Sequence, residues 1–257
     1  MADYLRAECY KMTHRSYLWG ALLITAALET VMVLLWAWLN GDVVHLTSSG
    51  GLAMLFYLLP MGFYAAAISG DIVFSDQYKH NTLKNEVAFG LPRSRIYLGK
   101  LLAGCLLSLA ACAAILGWYS ILCVLLLPGD GALGTALAQL GFALLCALPL
   151  WLGAQAMFTL CYFGFRGSTA GAIVGVCVIA LLGQLLTFLS LMVELPSPAL
   201  AEALTQVQKL LLTTPLDGLT EHIGEGARLA WAWGVGVGWY AATTALGLCI
   251  FRKREIS

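Results

Sequence analysis

Charge is what this chain has least of: only 11% of its 257 residues are Asp, Glu, Lys or Arg, against about 25% in an ordinary soluble domain. Metal-ligand spacing is missing too. The four histidines, His14, His45, His80 and His222, lie far apart and no CxxC pair occurs, so neither a metal nor a haem is expected. Of the eight cysteines, Cys105, Cys112, Cys123, Cys146, Cys161, Cys177 and Cys249 fall inside long apolar runs, and Cys9 lies in the first polar flank. None sits in the loops where an oxidised framework would form, so they read as small apolar packing residues. The phosphate loop GxxxxGK[ST] is absent: residues 129–135 lack its lysine and follow an apolar run rather than a strand. Paired acids, a His–Glu motif and a Ser/His set are missing from the apolar runs, which argues against an intramembrane hydrolase. The chain is therefore not expected to be an enzyme, to bind a cofactor of its own or to hold nucleic acid.

What it has instead is apolar length. Hydrophobic residues make up 60% of the chain and the mean hydropathy is +0.84. About twenty residues at 1.5 Å rise cross a hydrocarbon core of roughly 30 Å. Six runs meet that length, at 17–39, 51–74, 101–127, 136–163, 167–193 and 229–251, and the last four carry no charged residue. Membrane β-strands, about ten residues of alternating polarity, do not fit. The expected fold is all-α: one polytopic membrane domain over 1–257 with six transmembrane helices. If the N-terminus is cytoplasmic, six spans return the C-terminus to the same side. Twelve of the fourteen cations then lie inside, leaving only Lys209 and Arg228 outside; the positive-inside rule selects that topology. Residues 1–16 are polar and mixed in charge, and the first run is too long for the core of a cleaved signal. Leu5, Cys9 and Met12 recur at helical spacing with Arg6, Lys11 and Arg15 largely off that stripe. That fits either a short interfacial helix or a solvated basic flank.

Between the second and third spans, residues 75–100 hold a charged island: Asp76, Lys79, Lys84, Glu86, Arg93, Arg95 and Lys100. Within it Leu83, Val87 and Leu91 fall on one helical face. Asn81 or Thr82 is placed to cap that helix, Pro92 to stop it, and Ser94 to cap the next. The pattern predicts a short cytoplasmic helix, apolar on one side and charged on the other, held between two spans.

A second long connection, 194–228, lies on the outer side. Leu200, Leu204, Val207 and Leu211 recur at helical spacing, predicting an amphipathic helix that is either a surface cap or part of an outer gate. A turn is expected at 214–218. Small-residue ridges, Gly167/Gly171/Gly175 and Gly234/Gly238 with Ala230 and Ala242, predict close helix packing within the chain, a dimer seam being the other use. Pro60 and Pro149 are expected to kink the second and fourth spans.

Glu29 is the ionisable residue deepest in any span. Burial of a carboxylate there costs roughly 2.5–3.5 kcal/mol, so it must face protein or water. It reads either as part of a substrate or ion path with Gln155 and Gln184, or as a structural group bonded to Gln155, Gln184 or Thr25.

The island also carries a pattern. Asp76-Gln77-Tyr78-Lys79-His80-Asn81-Thr82-Leu83-Lys84-Asn85, followed by Pro92-Arg93-Ser94-Arg95-Ile96-Tyr97-Leu98-Gly99-Lys100-Leu101, resembles the loop between the second and third spans of ABC-2 type transporter permeases. In that family an acidic residue, Gly-Thr-Leu-Lys-Asn, Ser-Arg and Lys-Leu recur at similar offsets; here Asn81 replaces the usual glycine. Span count, inside termini and the outer segment extend the likeness over essentially the whole chain. It is similar above all to small bacterial permeases of bacitracin resistance, lantibiotic self-protection and sodium export. The resemblance implies that the island helix is a coupling element docking on a separate ATPase through Asp76, Asn81, Thr82, Leu83, Lys84 and Asn85. Arg95 and Lys100 would anchor the return to the membrane through phosphates or acidic partner residues. It further implies two ATPase subunits carrying ATP and Mg, a second permease subunit (identical or related), and a multi-pass place in the bacterial plasma membrane. Export of an amphiphilic peptide antibiotic, drug or lipid-like compound follows as the expected role. The alternative is an ion-coupled carrier or channel using Glu29.

Overall fold

In the computed structural model every assigned element among the described residues is helical. The structure describes residues 2–41, 43–79, 82–165 and 168–253, without the side chains of 75, 76, 78, 79 and 82. A short helix α1 (Ala2–Thr13) precedes α2 (Ser16–Leu39). The next span is assembled from α3 (Ser48–Ala53), α4 (Leu55–Leu58) and α5 (Gly62–Lys79). Then come α6 (Thr82–Ala88), α7 (Arg93–Leu126), α8 (Leu133–Gly164), α9 (Ser168–Val193), α10 (Pro198–Gln208) and α11 (Gly226–Lys253). Six helical stretches are long and apolar enough to cross a membrane: Ser16–Leu39, Ser48–Phe74, Arg93–Leu126, Leu133–Gly164, Ser168–Val193 and Gly226–Lys253. They coincide with the six expected runs, give or take a few residues, except that α7 begins eight residues before its run.

Helix α8 is the axis of the bundle. Residues 153–159 are buried on every side, and α11, α5 and α9 pack around the helix. Helices α2 and α9 are peripheral, with 11% and 17% of their most apolar window buried against 39% for α8. A helix apolar on all faces is satisfied by lipid as well as by protein, which is why these two keep so much bare surface.

Close packing follows glycine, but not the glycines expected. Gly171 and Gly175 do sit against Tyr162 and Phe158 of α8; Gly167 lies outside the described residues. On α11, however, Gly234 and Gly238 face open space, and Gly236 makes the crossing. A Cβ on Gly236 would stand 2.4 Å from the Pro149 carbonyl. Two residues turn a helix by about 200°, so only one of these glycine sets can meet α8. The ridge predicted to pack within the chain therefore lies bare.

The prolines act differently from one another. Pro60 breaks its span into a 3₁₀ turn, Leu59–Met61, and Trp151 Nε1 donates to the Leu59 carbonyl beside the break at 3.1 Å. Pro149 stays inside a continuous α8. It cannot donate to the carbonyl four residues back, and Trp233 Nε1 on α11 donates to that Leu145 carbonyl instead, at 3.2 Å.

The connection after α9 folds back over one end of the bundle. Helix α10 packs on α9 through Ala201, with Leu204 half-buried, while Leu200 and Val207 of the expected stripe are exposed. The turn at 214–218 is present, with a 3₁₀ segment Thr214–Leu216 and Gly218 at φ +63°. Trp231 and Trp239 of α11 donate to the Lys209 and Leu210 carbonyls at 3.0 and 2.7 Å, which ties this cap to the last span. At the same end Asp130, between α7 and α8, accepts from Ser49 and from Thr47, the latter at 2.7 Å, and from the Ala132 amide at 3.1 Å. Those donors, Ser49 first, hold its carboxyl below the usual carboxylate range.

Two outcomes follow. Gly236→Ala should lower stability by about 1–3 kcal/mol through overpacking, and Gly234→Ala should leave it unchanged; thermal unfolding of the detergent-solubilised chain distinguishes them. Because the folded state gives up the Asp130 proton more readily, its contribution is full above the unfolded carboxylate value and is lost as pH falls through the folded one. Asp130→Asn should flatten that acid-side decline in melting temperature.

Candidate functional site

The charged island does form a helix, and its apolar side faces the protein. In α6 Leu83 is buried, and Val87 and the following Leu91 pack against the same core. The helix is stopped by Gly90 rather than by Pro92. Gly90, at φ +82°, donates to the Val87 carbonyl at 3.0 Å and Leu91 to the Glu86 carbonyl at 3.3 Å. That pair of bonds is the Schellman closure, which needs a residue in the left-handed region. Pro92 instead occupies the position before α7, extended at ψ 134°, and no side chain caps that helix. Ser94 is thus inside α7 and not its cap, because the Pro92 carbonyl already receives the Arg95 and Ile96 amides.

Beneath α6 lies a buried ion cluster that joins three helices. Lys100 Nζ of α7 stands 3.3 Å from Glu8 Oε1 of α1 and 3.2 Å from Glu86 Oε1 of α6. The Lys100 and Glu8 side chains are 0% and 2% exposed. Lys11 Nζ meets Glu8 at 2.5 Å and approaches Glu86 to 4.0 Å. Tyr4 Oη donates to Glu86 Oε2 at 2.8 Å, and Gln77 Nε2 of α5 to Glu86 Oε1 at 3.5 Å. Two carboxylates and two ammonium groups balance, Lys11 remaining half-exposed, which is what allows Lys100 and Glu8 to leave water. Burial, then the Glu8 and Glu86 charges, push the Tyr4 phenol above its ordinary value, so it remains a donor.

A second fastening closes this end. Arg93, at the start of α7, donates to the Phe251 and Arg252 carbonyls at 3.0 and 2.9 Å, where α11 presents the negative end of its dipole. Below it, Phe163 of α8 meets Phe74, Tyr97 and Phe251 with ring centroids 4.8, 4.8 and 4.5 Å apart. Helices α5, α7, α8 and α11 share this aromatic layer.

The predicted docking residues separate. Lys84 and Asn85 are exposed on α6, and Arg95 is exposed in the first turn of α7. Leu83 is turned inward. Lys100, expected to meet phosphates or an acidic partner, is consumed by Glu8 and Glu86 inside the chain. Asn81 lies outside the described residues, and for Asp76 and Thr82 only the helical backbone is described. The path residues are not joined. Glu29 is buried on α2 and its Oε2 has no hydrogen-bond partner. Gln155 accepts from Ser69 at 2.6 Å, Thr25 donates to the Ala21 carbonyl, and Gln184 is exposed on α9. None of the three side chains proposed as Glu29 partners meets it.

Sequence reasoning passed over Tyr4 and Glu8, and placed Glu86 in the charged island without a role. One signal was available: Glu8 interrupts the Leu5–Cys9–Met12 stripe, and an acid on an apolar face needs a buried cation. Comparison of the chain with protein-family models and with curated proteins finds no match.

Removing the cation tests the cluster. Lys100→Met leaves Glu8 and Glu86 with the half-exposed Lys11 as their one remaining cation and should cost about 3–5 kcal/mol, whereas Lys84→Met at the exposed face should change stability by less than about 0.5 kcal/mol. Adding Glu8→Gln to Lys100→Met should recover part of the loss, read from the same unfolding curves.

Proposed function

We propose that this chain is the membrane-spanning subunit of an ATP-binding-cassette transporter of the ABC-2 type, set in a bacterial plasma membrane with both termini in the cytoplasm. It exports an amphiphilic peptide antibiotic, drug or lipid-like compound and is powered by two separate ATPase subunits that carry ATP and Mg. The observation that carries this reading is α6: a short helix whose apolar face and one acid are fixed inward, while Lys84 and Asn85 of the Thr-Leu-Lys-Asn pattern project outward. A helix pinned through Glu86 to Lys100 passes displacement to α7 instead of absorbing it. Six apolar helices supply the path, and a second permease subunit completes it. The bare Gly234/Gly238/Ala242 side of α11, which lines an open groove of about 370 Å³, leaves room for another helix to approach closely. The mechanism is alternating access: ATPase closure pushes α6, and no bond to the cargo is made or broken.

The test is whether the full-length chain, purified from its native membrane, brings an ATP-hydrolysing subunit with it. Lys84→Glu should reduce the retained ATPase about tenfold, roughly 1.4 kcal/mol, with the melting temperature unchanged. Recovery of a transport-competent chain with no such subunit would end this reading.

The unpartnered Glu29 carboxylate favours one other possibility, an ion-coupled carrier. Glu29→Gln should leave ATP-driven transport largely intact; abolished transport by a folded protein would place Glu29 in an ion path.

A further inference from the structure

Helix α6 has two sides. Leu83, Glu86 and Val87 are held by the body of the protein, whereas Lys84, Asn85, Ala88 and Phe89 project from the other side and are exposed. Phe89 is 88% exposed, more than any other aromatic side chain among the described residues, the next being Trp38 at 76%. Its backbone is fixed. The Phe89 amide donates to the Asn85 carbonyl at 2.9 Å, and the Gly90 and Leu91 bonds close the helix immediately after it. A ring carried on a fixed backbone has only its two side-chain torsions left to lose on binding, the property of an interface anchor.

The surroundings of the ring indicate what covers it. A helix that lies on a bilayer turns its apolar stripe toward the acyl chains. The stripe of α6 is instead consumed inside the protein, and Phe89 stands on the polar side beside Asn85 and Gly90. The acid of α6 is paired internally with Lys100 and accepts from Tyr4, so the outward charge of this helix is that of Lys84 alone. The complementary surface is an apolar pocket the size of a phenyl ring with a carboxylate on its rim.

We propose that Phe89 is the anchor by which a soluble partner protein grips α6, the ring entering such a pocket while Lys84 pairs with the carboxylate. This rests on the reading that α6 docks the ATPase subunit, and it moves the centre of that contact from Leu83, which is turned inward, to the far end of the helix.

The full-length chain carrying p-benzoylphenylalanine in place of Phe89 is irradiated in its native membrane, and the adduct is identified by mass spectrometry. In parallel, the ATPase retained on purification is compared for the unaltered chain, Phe89→Ala and Phe89→Trp. The expected result is an adduct with the ATPase at apolar residues flanked by Asp or Glu. Phe89→Ala should cut retention about tenfold or more at unchanged melting temperature, and Phe89→Trp should keep most of it. Adducts with lipid alone would mean that the ring enters the bilayer and would overturn the proposal. Equal retention by Phe89→Ala, with Lys84→Glu still weakening it, would overturn the anchor while leaving α6 as the docking helix. If the unaltered chain retains no ATPase, the docking reading fails and this inference goes with it.

Discussion

The basic end of this molecule depends on one ammonium group kept out of water. Lys100 has no exposed side-chain surface and lies between Glu8 and Glu86, which belong to two helices that precede it, 92 and 14 positions earlier in sequence. Removing two carboxylates and the cation between them from water is expensive, and such a cluster persists only when each member has a partner at hydrogen-bonding distance. Satisfying Lys100 therefore fixes where α1 lies, how α6 is rotated and how far α7 extends past its apolar run. The first of these helices is thereby a strut with a defined partner, and its polar residues do more than accompany an interfacial stripe.

The rest of the bundle is arranged around backbone approach. Gly236 lets α11 touch α8 at Pro149, and Gly171 and Gly175 let α9 lie on Phe158 and Tyr162. In lipid no hydrophobic force brings helices together, so contact depends on small residues and on satisfied polar groups. Tryptophan supplies several of the latter: Trp151 and Trp233 reach carbonyls beside or behind the two prolines, and Trp231 and Trp239 hold the cap over the opposite end. At the other end α6, the ion cluster and the aromatic layer around Phe163 are joined through Lys100 and Tyr97 of α7.

Much of this was legible beforehand. Apolar length fixed the six spans, the Leu83/Val87/Leu91 spacing fixed the inward face of α6, and Pro60 marked the break in the second span. The candidate site was legible only in part. Lys84, Asn85 and Arg95 are exposed as a docking surface requires, but Leu83 and Lys100 are spent inside the chain, and Ser94 caps nothing. Glu29 does not meet Gln155, Gln184 or Thr25, since residues on separate spans share a neighbourhood only if the helices are rotated to suit, and rotation leaves no local signature.

The sequence alone determined that the chain is helical and how many times it is long enough to cross a bilayer, because partition between water and hydrocarbon depends on local composition and length. The tertiary structure decided which side of each helix faces a neighbour and which charges pair. Glu8 and Lys100 are 92 positions apart, and Gly234 and Gly236 differ only in the angle at which α11 meets α8. Such choices are made by the packing of whole helices, where a rotation of part of a turn exchanges a buried ion for an exposed one.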